Sequence, residues 1–168
     1  MKGKIIFKEE QSFVGTWMWY LVIGIALLTI AGIAISLTQG VDNEGISGLV
    51  LAIVVIAGII LFLYFAKLYV TIDQHSLYYR YPPFVNNEKK VTKDDVDEIH
   101  VRKYRPIWEY GGYGYRFRFR SGRAMSVAGN VGVQLIKKDG KRLLIGTQKP
   151  DAMKQAVRRL KENWEING

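Results

Sequence analysis

Two stretches of the chain carry no charged residue, Trp17 to Thr38 and Gly45 to Ala66, each 22 residues long. A helix rises about 1.5 Å per residue, so each run reaches roughly 33 Å and can cross a hydrocarbon core of about 30 Å. The pattern predicts two membrane-spanning helices, 17–38 and 45–66, joined by a short external connector, 39–44. A buried globular hairpin would need a core able to cover two helices apolar on every face, which the remaining residues could hardly supply. Ala34 and Ser36 offer a weak signal-peptide cleavage site. The first run exceeds the usual h-region of about 7–15 residues, however, and a second span follows at once, which favours an uncleaved anchor.

Beyond Lys67 the period changes. Leu68 to Asp73 and Leu77 to Tyr81 read as a hairpin turned at Gln74-His75, ended by Pro82-Pro83. After the polar stretch Asn86 to Lys90, Thr92 and Asp95 form a capping signal before a strand from Val96 to Lys103. Tyr113 to Arg120 alternates most clearly, with Tyr115, Phe117 and Phe119 on one face and Arg116, Arg118 and Arg120 on the other. Ala124 to Val127, Val131 to Lys137 and Lys141 to Ile145 complete seven strands, the last two joined through Asp139-Gly140, a pair suited to positive φ at both positions. Pro150 then opens a segment of helical period in which Met153, Ala156, Val157, Leu160 and Trp164 share a face. The expected fold is a helical hairpin followed by a mostly-β domain, about seven antiparallel strands closed by a C-terminal helix.

Charge adds topology. The chain has 168 residues, 24 Lys plus Arg against 15 Asp plus Glu, and no cysteine, which excludes disulfides, thiolate metal sites and thiol catalysis. Lys2, Lys4 and Lys8 precede the first span, Asp42 and Glu44 are the only charges in the connector, and Lys67 opens a basic C-terminal segment. The positive-inside rule therefore predicts a multi-pass protein of the cytoplasmic membrane, with a basic tail, 1–16, and a domain, 67–168, both cytoplasmic. Trp17, Trp19, Tyr20, Tyr64, Phe65 and Tyr69 fall at that same interface. Gly24, Gly32 and Ser36 on the first span, with Gly48 and Ala52 on the second, mark where helices would approach closely. No charged residue or histidine lies within either span, which argues against an ion path.

One further signal lies in the turns. Gly111-Gly112-Tyr113-Gly114-Tyr115-Arg116, Ser121-Gly122-Arg123-Ala124, Gly129-Asn130-x-Gly132-Val133-Gln134-Leu135, Asp139-Gly140-Lys141 and Leu144-Ile145-Gly146-Thr147-Gln148-Lys149-Pro150 follow one another in order. Together with the two spans, they resemble a family of bacterial membrane proteins with two N-terminal helices and a cytoplasmic pleckstrin-homology-like (PH-like) domain. The resemblance covers nearly the whole chain and implies a PH-like fold, and it carries over no catalytic residues. Eukaryotic phosphoinositide-binding PH domains carry a basic pattern around their first hairpin loop. Here that loop is Gln74-His75-Ser76 with only Arg80 downstream, so headgroup recognition of that kind is not implied.

The remaining chemistry is sparse. His75 and His100 lack partners at helical ligand spacing, and Asp94, Asp95, Asp97 and Glu98 lack the alternating oxygen spacing of a calcium loop. Gly111, Gly112 and Gly114 do not form a dinucleotide fingerprint and read as a sharp bend. No nucleophile–base set is visible, so an enzyme is disfavoured and no cofactor is expected. Residues 67–168 hold 21 Lys plus Arg against 11 Asp plus Glu, and an anionic leaflet attracts such residues by about 1 kcal/mol each. Arg102, Lys103, Arg105, Trp108, Arg116, Arg118 and Arg120 are thus the candidate contacts to lipid or protein partners, unless they are merely solvated. The sequence reads as a non-enzymatic anchored module that binds membrane lipids or other proteins. A subunit of a larger membrane complex is the alternative, and an enzyme or small-molecule receptor with a site between sheet and helix comes third. Nucleic acid is not an expected partner, and a homo-oligomer is open.

Overall fold

The computed structural model describes residues 3–40 and 43–166. Lys2 and Asp42, both used in the charge argument, lie outside the described residues. The chain divides into two compact units, Ser12–Ala66 and a second made of Met1–Gln11 with Lys67–Gly168.

The first unit is a helical pair, α1 (Trp17–Thr38) and α2 (Asn43–Phe65), which pack on one another. Both are long and apolar enough to cross a membrane, and almost nothing in them is buried by the protein itself. Leu28, for example, is 74% exposed. Side chains this apolar on all faces are stable only when something other than water covers them. A Cβ built at Gly24, Gly32 or Gly48 meets nothing within 4 Å, so no atom of the other helix closely approaches these three glycines.

The second unit holds nine strands among the described residues, not seven. One sheet has the order β1 (Ile5–Ser12), β2 (Lys67–Asp73), β3 (Leu77–Tyr81) and β4 (Val85–Val91). A 3-10 turn at Lys93–Asp95 leads to the other sheet, whose strands are β5 (Val96–Lys103), β6 (Gly114–Arg118), β7 (Gly122–Ser126), β8 (Val131–Lys137) and β9 (Arg142–Thr147), in the order β5-β8-β9-β7-β6. Pairing is not antiparallel throughout. β7 runs parallel to β9, with Ala124 opposite Leu144, because β9 turns back from β8 and inserts between β8 and β7.

Two of the nine strands escape the sequence reading. The basic tail expected over residues 1–16 contains β1, an edge strand whose Phe7, Glu9 and Gln11 point inward. Polar inward residues hide a strand from any hydrophobic pattern. β4 lies within the polar run after Pro83, and from Asn86 to Lys90 every side chain is exposed. A strand covered on neither face has no alternation to show.

The core forms around β2, β3, β8, β9 and the closing helix α4 (Pro150–Ile166), with Leu68, Ile72, Leu135, Leu144, Met153 and Leu160 fully buried. α4 packs on β5, β2 and β8. Its far end is pinned to the β2–β3 turn, where the Trp164 indole N–H donates to the His75 carbonyl at 2.8 Å and the Asn163 amide to that of Gln74 at 3.1 Å. The turn itself is built by Asp73, whose Oδ1 accepts the backbone N–H groups of His75 and Ser76 at 2.9 and 2.7 Å. The capping signal at Thr92 is realised. Its N–H and hydroxyl both donate to Asp95 Oδ2, at 2.9 and 2.8 Å.

The β8–β9 turn differs from the expected type. Gly140 has φ of 76°, but Asp139 does not have positive φ. Gly140 N–H donates to the Lys137 carbonyl, and Lys137 N–H to that of Lys141. The loop is thus a three-residue one with glycine alone in the left-handed position. Gly132 and Gly146 face each other across β8 and β9, and they are glycine for want of room. A Cβ at Gly132 would lie 2.7 Å from the Ile145 carbonyl oxygen, and one at Gly146 2.8 Å from Ser126 Cβ.

Candidate functional site

The basic candidates fall on three neighbouring segments, and they divide into tied and free side chains. Arg102 on β5 is tied. Its guanidinium reaches Glu109 Oε2 at 2.8 Å, Gln134 Oε1 at 3.1 Å and the Tyr110 hydroxyl at 3.3 Å. Burial alone would lower its pKa, but Glu109 outweighs that and holds the guanidinium above its ordinary value. On Glu109 burial pushes up, while the Arg102 guanidinium and the Arg105 N–H pull the carboxyl below its ordinary range. Arg102 is therefore structural.

What it anchors is a short helix that the sequence reading treats as loop, α3 (Pro106–Tyr110). Pro106 sits at its start and Gly111, with φ of 78°, ends it by donating its N–H to the Ile107 carbonyl at 2.8 Å. Proline followed five residues later by glycine is the signal that could have located it. Glu109 Oε1 accepts the Arg105 backbone N–H at 2.7 Å, so one carboxylate fixes both the start of α3 and its seat on β5. Tyr110 is buried against Tyr104, ring centroids 6.1 Å apart, and burial raises the Tyr104 hydroxyl to about 12. With its C-terminal ring inside, α3 turns Ile107 and Trp108 outward, 66% and 80% exposed. Lys103 and Arg105 beside it are exposed.

β6 lies next to α3 and is the outer strand of its sheet. Its arginine side meets the glycine bend as expected. Arg116 Nε donates to the Tyr113 carbonyl at 3.0 Å, and a Cβ on Gly111 would lie 3.5 Å from the Arg118 guanidinium. The aromatic side is the surprise. Tyr115 stacks on Phe84 with centroids 5.3 Å apart, but Phe117 and Phe119 are 66% and 98% exposed. The strand expected over 113–120 ends at Arg118, so Phe119 and Arg120 lie in the turn beyond β6, and among the described residues no element covers this end. Leu160, by contrast, is fully buried on α4, which packs on β5, β2 and β8.

The histidines stay apart. The Trp164 contact uses only the His75 backbone, and His100 Nδ1 lies 2.9 Å from Glu98 Oε1 on the same strand. Among the described residues no three His, Cys, Asp or Glu side chains gather as metal ligands would. No protein family, curated protein or solved structure matches the chain.

Proposed function

We propose that the chain is a non-enzymatic membrane-anchored module of PH-like fold, held in the cytoplasmic membrane by α1 and α2, whose basic domain engages anionic lipid or partner proteins at the cytoplasmic face. The observation that carries this reading is the tip of α3. Trp108 and Ile107 stand exposed beside Arg105 and next to the arginine side of β6. Apolar and aromatic side chains ringed by cations suit the boundary between headgroups and acyl chains.

The sheet order supports the topology. β1 enters α1 and β2 leaves α2, and the two strands are neighbours in one sheet. If α1 and α2 span a bilayer, the segments flanking them lie on one side of it, as the lysine distribution requires.

The test is co-flotation of the full chain, held in neutral nanodiscs, with anionic and with neutral vesicles. Preferential capture by anionic vesicles is expected, reduced about tenfold by Trp108→Ala with Ile107→Ser. Equal capture by both vesicles, or none, removes the lipid reading and leaves protein partners, sought by affinity purification from the native membrane. A second reading, a subunit of a larger membrane complex, is favoured by Gly24, Gly32 and Gly48, at each of which an added Cβ would meet only open space and where another helix could approach closely. A lone monodisperse species in mild detergent counts against it.

A further inference from the structure

β5 is the outer strand of its sheet, paired with β8 on one side only, and α4 packs beside it. Between the two runs a groove of about 260 Å³, lined on the strand by Ile99, His100 and Val101. Successive strand residues point to opposite faces, so a space touched by three in a row lies along the edge of the strand, where the backbone is. The other wall is Lys154, Val157, Arg158 and Lys161, one stripe of α4 at i, i+3, i+4 and i+7.

The ladder leaves this edge open. Tyr104 N–H donates to the Asn130 carbonyl, and counting back by twos along the β5–β8 register, Arg102 and His100 also turn their backbone groups to β8. Ile99 and Val101 turn theirs outward, where among the described residues no backbone or side-chain group meets them. The groove also has a sign. Among the described residues no acid lines it, and Lys154 and Lys161 enter none of the ion pairs, while Arg158 meets Glu162 at 3.4 Å. The buried side chains of Ile99 and Val157 give it an apolar floor.

We propose that this groove takes up an extended acidic segment of a partner protein, which adds to β5 as a further strand. Its backbone bonds to the outward N–H and C=O groups of Ile99 and Val101, and its acids meet the cationic stripe of α4. An extended chain supplies the donors and acceptors that a free edge lacks. Negative charge complements Lys154, Arg158 and Lys161 and disfavours basic competitors. The inference gives a site to the protein-partner half of the proposed function and rests on that half alone. Ile107 and Trp108 at the α3 tip do not line the groove, so vesicle capture and peptide binding fail separately.

Fluorescence anisotropy on the full chain in neutral detergent tests this with a labelled peptide of alternating glutamate and valine, about seven residues long, an ordinary strand length. Saturable binding is expected. The same peptide with lysine for glutamate should bind about tenfold more weakly or worse. So should one N-methylated at its central backbone amides, which keeps every charge but cannot donate to the ladder. Val101→Pro removes an outward N–H that β8 does not use, at a place where an edge strand tolerates proline, and should weaken binding about fivefold or more. Lys154→Glu with Lys161→Glu, both exposed, should weaken it about tenfold, whereas Trp108→Ala with Ile107→Ser should change it less than about twofold. An unchanged melting temperature will show that each variant folds, and the methylated peptide needs no variant at all. No binding of the acidic peptide overturns the proposal, and so does equal binding of the lysine or the methylated peptide. A dimer that sediments without peptide and is dissociated by Val101→Pro would make a second copy the occupant, and overturns it too.

Discussion

Strands β1 and β6 occupy equivalent places, each at the edge of its sheet, and each inverts the expectation its residues raise. β6 alternates aromatic and arginine residues, yet Phe117, and Phe119 just beyond the strand, are left in the open. β1 has the composition of a solvated tail, yet Glu9 is 3% exposed and Gln11 fully buried. Its side chains bind the two sheets together. Glu9 accepts the Thr147 hydroxyl at 2.7 Å and the Gln148 N–H at 2.8 Å, and the Gln11 amide donates to the Gly146 carbonyl at 2.7 Å. Alternation reports that a segment is a strand with two different faces. Which face is covered depends on what lies opposite, and the segment does not contain that information.

The largest test of this contrast removes β1. Deleting residues 3–11 exposes the edge of β2 and strands the polar groups on β9, so the β-rich unit should lose cooperative unfolding altogether in circular-dichroism melts. A domain that still melts sharply would show that β1 is an accessory. For the same reason residues 67–168 alone are not an adequate soluble fragment.

Glu9→Ala keeps the strand and leaves the Thr147 hydroxyl and Gln148 N–H without their partner. A loss of about 2–4 kcal/mol is expected in denaturant titration. A change below about 0.5 kcal/mol would mean that water replaces the carboxylate and β1 is held by its backbone alone.

Asp73 links the start of β1 to the β2–β3 turn, since its Oδ2 accepts the Gly3 N–H at 2.9 Å. Burial pushes this carboxyl up, but the N–H groups of His75, Gly3 and Ser76 outweigh burial and leave it below its ordinary value. A depressed folded pKa contributes stability above the unfolded pKa of about 4, and that stability is lost as pH falls through the lower folded value. Asp73→Asn should therefore cost about 1–2 kcal/mol at neutral pH and flatten the fall in stability below about pH 4. An unchanged acid limb would place the titration elsewhere.

The smallest effect belongs to the turn that follows β6. Phe119→Ser removes a side chain that touches almost nothing, and stability should move by less than about 0.5 kcal/mol. A larger loss would mean that the aromatic face is covered after all.

How far the sequence could be read follows from which interactions are local. α1, α2 and α4, the Thr92–Asp95 cap, the glycine turn at 140 and most strand centres depend on periodicity or on residues a few positions apart, and these were legible. The candidate site was legible in part. Arg105, Trp108, Arg116, Arg118 and Arg120 are exposed, whereas Arg102 is structural because its partner Glu109 lies on a helix set by Pro106 and Gly111. The pairing that joins β7 to β9 was missed, since Ala124 and Leu144 are 20 residues apart and meet only through a parallel ladder that no turn signal specifies.

By itself, then, the sequence determined two helices too apolar for water and a basic β-rich remainder, because hydrophobic period and charge are properties of consecutive residues. The tertiary structure alone decided that the segment before the first helix belongs to the domain, which arginines are tied and which are free, and which aromatic face is uncovered. Each of those depends on a contact between residues far apart in the chain, where burial and pairing are settled by the partner across the gap.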